Sequence, residues 1–187
     1  YPYQESIRVP LIIYDPRMPA DKVGTLDDHF TLNADLAETI LGAAGLNPHD
    51  RMQGRDISDL YLRNQRNKGK TALETKPWRE EFFYEFDLTA DHQFLPPSNA
   101  LVRRKWKYID WYEHNYTQLF DLENDPLELT DVAGDLANDA IIQEMKARLI
   151  EMQTDFEEPK SERLECEGKD GQYWSALAED PGVDRCR

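Results

Sequence analysis

The sequence predicts an α/β remnant joined to an α+β subdomain, the latter a small antiparallel sheet packed by a long C-terminal helix. Three observations predict it. A short apolar run at residues 6–14, "SIRVPLIIY", comes before a well-signalled helix, which is the order of α/β chains. Aromatic and β-branched segments then cluster between residues 81 and 123. Finally, residues 135–158 carry apolar side chains at three- and four-residue steps.

Residues 6–14 read as a buried strand, with Pro10 marking an edge, an end or a bulge. "DPRMPADKVG" is then a loop. In "LNADLAETILGAAG", Asn33 is the expected N-cap, and Asp35 and Glu38 suit the positive end of the helix dipole. Leu32, Leu36, Ile40 and Ala44, with Leu41, form its apolar face, and Gly45 followed by Pro48 ends it. A short amphipathic piece carrying Ile57, Leu60 and Leu62 follows, and the polar stretch around residues 64–78 marks a boundary. Three strands are expected beyond it: "EFFYEFD", "NALVRRKWKYIDWYE" and "TQLFDLE", forming a sheet with one buried and one wet face. In the middle strand Arg103 and Arg104 point to opposite faces, with Lys105 and Lys107 on the side of Arg103, as a solvated basic stripe paired with acidic neighbours. Ile142, Met145, Leu149, Met152 and Phe156 form the packing stripe of the last helix. The division is therefore 1–66, 67–158 and an irregular tail, 159–187.

Composition narrows the function. With 37 acidic against 22 basic residues the formal net charge is −15, a field that repels nucleic acid. A sulfated or carboxylated substrate would have to be held by local Arg, Lys or His. No stretch approaches the ~20 apolar residues of a membrane span. Cys166 and Cys186 enclose a polar segment in the tail, a pattern compatible with a disulfide in an oxidising compartment and equally with two free thiols.

Catalytic motifs are missing. The chain has no Gly-rich phosphate loop, no His-Glu-x-x-His and no Gly-x-Ser-x-Gly. Asp121, Glu123, Asp125 and Glu128 begin like a calcium loop, but Pro126 stands where such a loop needs glycine. A turn in which Asp125 satisfies local backbone donors fits better. His92, in the Pro-containing loop "DLTADHQFLPPSN", is the candidate substrate-binding residue, because loop imidazoles pair with anions. His114 belongs at a hairpin tip, and His29 and His49 flank the first helix.

Four phrases in order carry a resemblance: "YPYQESIRVPLIIYDP", "NADLAETILGAAGLNPHDRMQGRDISDL", "ALVRRKWKYIDW" and "QLFDLENDPLELTDVAGD". Together they resemble the C-terminal part of type I sulfatases of the alkaline-phosphatase-like superfamily, over residues 1 to about 156. The resemblance implies a sulfuric ester hydrolase with a formylglycine nucleophile and a calcium ion, in a periplasmic or extracellular setting. It also implies that a larger α/β domain precedes this chain, because the Cys/Ser-x-Pro/Ala-x-Arg motif occurs nowhere in it. The expected role is scaffold plus one wall of a pocket for a sulfated small molecule or glycan, inactive alone, with no cofactor in these residues. An apolar strand without its sheet neighbours also predicts self-association. Two alternatives are kept. One is a phosphodiesterase or phosphonate hydrolase of the same superfamily, which a Thr nucleophile upstream would indicate. The other is a carbohydrate-binding module using Trp106, Trp111 and Tyr112.

Overall fold

The computed structural model describes residues 1–49, 52–62, 77–86 and 95–156. His92, the 64–76 part of the expected boundary, and the tail with Cys166 and Cys186 lie outside the described residues. The elements in chain order are α1 (Gln4–Ile7), α2 (Asn33–Ala43), α3 (Ser58–Tyr61), β1 (Glu81–Phe86), β2 (Ser98–Arg103), β3 (Trp106–Trp111), β4 (Tyr116–Asp121) and α4 (Asp139–Phe156). The four strands form one antiparallel sheet in the order β1-β2-β3-β4.

The expected middle strand is two strands. Arg104 and Lys105 fall between β2 and β3, and the pairing of Val102 with Lys107 folds the segment back on itself. Two adjacent long cations with no apolar side chain to bury make that bend, so the alternation assumed through residues 103–107 is broken. Arg104 and Lys105 sit in the turn, while Lys107 is fully buried. The other hairpin, β3 to β4, closes through a short 3₁₀ turn at Tyr112–His114, placing His114 at the tip as expected. Asn115 follows with φ 49, a left-handed conformation that asparagine tolerates.

The sheet is buried on both faces at its centre. On one face α4 lays Met145, Leu149 and Met152 across Leu101, Tyr108 and Leu119. This is the stripe the periodicity predicts, and it starts after a turn in which the Asp135 carboxylate accepts the Ala137 N–H. Truncating Leu149 to alanine removes about 2–5 kcal/mol. The second face was expected to be wet, but Ala100, Ile109, Trp111 and Phe120 are buried there beneath Tyr3 and Tyr84. Tyr84 comes from the neighbouring strand β1, whereas Tyr3 reaches this face from the very start of the chain.

That start overturns a second expectation. Residues 6–14 are not a buried strand: Gln4–Ile7 is a single helical turn, and Val9, Leu11, Ile12 and Tyr14 are exposed, Ile12 at 93%. A strand exists through ladder hydrogen bonds, and among the described residues none runs beside this segment. The helix α2 forms as expected, and Gly45, at φ 71, ends it. Its cap differs from the expectation. Asn33 is the first helical residue, and Asp35 reaches back to accept the Leu32 N–H at 2.7 Å. Its apolar face is also bare, with Leu36 and Ile40 exposed. The short α3 buries Ile57 and Leu62 on either side of it.

Candidate functional site

Concave surface and buried charge concentrate where the first four residues meet the sheet. Lys107 shares strand parity with Ile109 and Trp111, so its side chain enters the buried second face. Its ammonium donates to the Pro2 carbonyl at 2.8 Å and pairs with Glu128, both side chains being essentially buried. The second Glu128 oxygen accepts the Gln4 N–H at 2.6 Å. Glu128 itself holds φ 56, a left-handed backbone that aims it inward. One ion pair therefore fastens residues 2 and 4 to β3 and to the turn after β4. Burial pushes the Lys107 ammonium below the ordinary lysine value, and Glu128 opposes that shift.

Beside this clamp lies a cleft of about 300 Å³. Tyr1, Tyr3, Trp111 and Tyr116 supply four rings, His114 and Gln118 polar groups, and Pro96 completes the lining. Tyr1 stands edge-on to Trp111 at 6.1 Å between ring centres. Gln118 organises the wall: its Oε1 accepts from the Tyr3 hydroxyl and from the Trp111 Nε1–H, each at 2.9 Å. Beside it the Tyr116 hydroxyl donates to Asp131 at 2.9 Å, and that hydrogen bond, followed by burial, raises the Tyr116 phenol above its ordinary value.

A second buried ion pair ties the helix α2 to the entry of β1. Arg79 grips both oxygens of the fully buried Asp35, whose carboxylate also accepts the N–H groups of Leu32 and Arg55. Such a bidentate pair with four donors is satisfied, and its role is structural. The expected basic stripe is dispersed into surface pairs: Arg103 with Glu81 and Glu144, Arg104 with Glu80 and Asp28, Lys105 with Glu123. Asp125 accepts the Thr130 N–H, the local role expected of it, and Asp121 accepts from Glu123 and Asn124.

Of the aromatics singled out in the sequence, Trp111 enters the cleft, whereas Trp106 packs against the α4 side of the sheet. Lys107, Tyr116 and Gln118 were not foreseen. Lys107 carried a signal, being a charge in phase with Ile109 and Trp111 on one strand. Among the described residues one trio, Asp27, Asp28 and His29, brings metal-binding atoms together. Its groups already serve one another and Arg104: His29 Nδ1 bonds Asp27 at 2.7 Å, and Asp28 bonds Arg104 at 2.8 Å. Among the described residues these groups are thus committed to one another and to Arg104, and the Cys/Ser-x-Pro/Ala-x-Arg motif does not occur in the sequence.

With fold and cleft in view, comparison places the chain. Residues 1–155 match the family described as N-sulphoglucosamine sulphohydrolase, C-terminal. The chain belongs to this C-terminal family of the sulfatases, within the alkaline-phosphatase-like fold. It is 32% identical over 133 residues to an arylsulfatase of Clostridium perfringens, covering 70% of this chain and 24% of that protein. It is 28% identical over 134 residues to an N-acetylglucosamine-6-O-sulfatase of Bacteroides thetaiotaomicron, covering 71% and 22%. Among solved structures, a phosphonate monoester hydrolase of Agrobacterium radiobacter superposes with a TM-score of 0.56 at 22% identity, over 70% of this chain and 26% of that one. That likeness speaks to fold alone. The chain spans about a quarter of the length of the curated relatives it matches.

Proposed function

We propose that this chain is the C-terminal subdomain of a sulfuric ester hydrolase acting on a sulfated small molecule or glycan. The match of residues 1–155 to a sulfatase C-terminal family carries the reading. Breaking a sulfate monoester needs an activated nucleophile and fixed positive charge around the transferring group. The 187 residues lack the nucleophile motif, and the surface cations described above are paired with carboxylates. The bond-breaking groups, calcium and formylglycine, accordingly belong to the rest of the enzyme. This chain supplies the scaffold and one wall of the substrate pocket. A glucosamine-type sulfate is supported by the relative that acts on N-acetylglucosamine-6-O-sulfate. The Cys166–Cys186 pattern suits the periplasmic or extracellular setting in which such esters are met. Among the described residues no helix is long and apolar enough to cross a membrane.

His92 stays with this proposal as a substrate-binding residue on sequence grounds, because a loop imidazole can pair with an anion. In the full-length enzyme His92→Ala is expected to raise KM for the natural ester about three- to tenfold, as loss of one charge-assisted hydrogen bond does. Unaltered kinetics would remove the assignment. The phosphonate alternative shares the fold, so activity decides it. Sulfate release from sulfated glucosamine by the full-length protein, well above its rate on a phosphonate monoester, supports the sulfatase reading, and the reverse preference would overturn it.

A further inference from the structure

The strand register lines up four oxygen-bearing side chains across the sheet. Glu85 on β1 faces Asn99 on β2, Asn99 faces Asp110 on β3, and Asp110 faces Thr117 on β4. Strand alternation puts all four on the α4 face, two positions along from Phe83, Leu101, Tyr108 and Leu119. Neighbouring strands lie ~4.8 Å apart, so each member of the row stands beside the next. The row is rich in acceptors and short of donors. Asn99 is 7% exposed, and its Oδ1 has no hydrogen-bond partner among the described residues. The fully buried Tyr108 hydroxyl, on the same face, is unpartnered as well. Among the described residues no ion pair or side-chain hydrogen bond engages Glu85 or Asp110, whereas Asp35, Glu81 and Glu128 each hold a cation. Burial raises the Asp110 carboxyl above its ordinary value, and Lys146, exposed on α4, opposes that from a distance.

A half-buried carboxylate beside a buried, unpaired amide oxygen is costly unless something positive joins them. The chemistry of the row says what fits. Two carboxylates, an amide oxygen and a hydroxyl are hard oxygen donors, with no nitrogen or sulfur ligand among them. Magnesium demands near-ideal octahedral geometry at ~2.0–2.1 Å, whereas calcium takes about six to eight oxygens at ~2.3–2.6 Å in adaptable arrangements. Donors spaced by the strand separation suit the larger and more tolerant ion. We propose that this row binds calcium, with the Asp110 carboxylate and the Asn99 Oδ1 as direct ligands and Glu85 and Thr117 at the flanks. The site is built from this chain's residues alone and does not rest on the sulfatase reading.

The test is thermal melting of the full-length protein, first in chelator and then from about 0.01 to 10 mM calcium chloride, for the unmodified protein, Asp110→Asn and Glu85→Gln. Calcium bound elsewhere is common to all three, so the comparison between them reads this row. The unmodified protein is expected to gain a few degrees saturably, with a midpoint on the order of 0.1–1 mM, the range of extracellular calcium modules. For Asp110→Asn the order inverts. It is expected to melt at or above the unmodified protein in chelator, having lost an uncompensated charge, and below it at the highest calcium concentration. Glu85→Gln alters an exposed side chain and is expected to move the midpoint upward about three- to tenfold, which keeps the site testable if Asp110→Asn folds poorly. Terbium(III) alone gives a second readout: its luminescence, excited through the Tyr108 ring, is expected to be displaced by calcium and to fall in both variants. An identical calcium response in all three proteins, the result of a row satisfied by ordered water, overturns the site. So does an Asp110→Asn protein that melts lower by the same amount in chelator and in calcium, the result expected if a lysine or arginine from the rest of the enzyme fills the row.

Discussion

Lys107 and Glu128 show how a single pair decides where the chain start lies. The ammonium and carboxylate are shielded from water, and between them they satisfy the Pro2 carbonyl and the Gln4 N–H. Removing one partner strands the other charge, so Glu128→Ala is expected to lower unfolding stability by about 3–5 kcal/mol in urea titrations. The double change Lys107→Met with Glu128→Leu is expected to cost clearly less than the sum of the single changes. Strict additivity would show that the two side chains do not act as a pair. A second expectation concerns acid. Burial raises the Glu81 carboxyl, but hydrogen bonds from Arg148 and Arg103 outweigh it, and the net shift is below the ordinary glutamate value of 4.5. A depressed carboxylate contributes stability that is fully present above the unfolded-state value and disappears as pH falls through the folded-state value. Glu81→Gln should therefore flatten the loss of stability below about pH 4.5, and an unchanged slope in acid titrations monitored by circular dichroism would refute it.

At the scale of elements, the long helix and the aromatic strands were legible because their periods state which side is buried. The turn at Arg104 and Lys105 was not, since a hairpin of two short strands and one long strand share the same alternation on either side of the bend. The run "SIRVPLIIY" misled for a related reason: β-branched residues fit a pleated surface only where a neighbouring strand exists, and sequence shows the residues without the neighbour. Lys107 was partly legible from its parity with Ile109 and Trp111. Glu128 was not, because its role depends on a left-handed backbone and on contact with residues 124 positions away. The contact of the 54–58 segment with the start of α2 makes its own prediction. A Cβ on Gly54 would stand 2.2 Å from the Ala34 carbonyl oxygen, a backbone atom that cannot swing away. Gly54→Ala is expected to cost about 1–3 kcal/mol. A melting temperature equal to that of the unmodified chain would show that this segment yields freely.

On the scale of the whole molecule, apolar side chains cover the sheet on both faces yet lie bare elsewhere. Val9, Ile12, Tyr14 and Ile40 are each at least 65% exposed, more apolar surface than an isolated soluble unit usually shows. The net charge of −15 opposes self-association, but burial of such side chains contributes roughly 1.5–3 kcal/mol apiece. The isolated chain is therefore expected to elute in light scattering above its monomer mass of 21.9 kDa, and Ile12→Ser with Ile40→Ser to return it toward that mass. A monodisperse monomer without those changes would contradict this. The division of labour proposed for the enzyme has a still more direct test. Sulfate release from a sulfated glucosamine, with calcium present, is measured for the full-length protein and for the purified 187-residue chain at equal molarity. The account predicts steady turnover by the first and none above the uncatalysed rate by the second. Turnover by the 187-residue chain alone would contradict it.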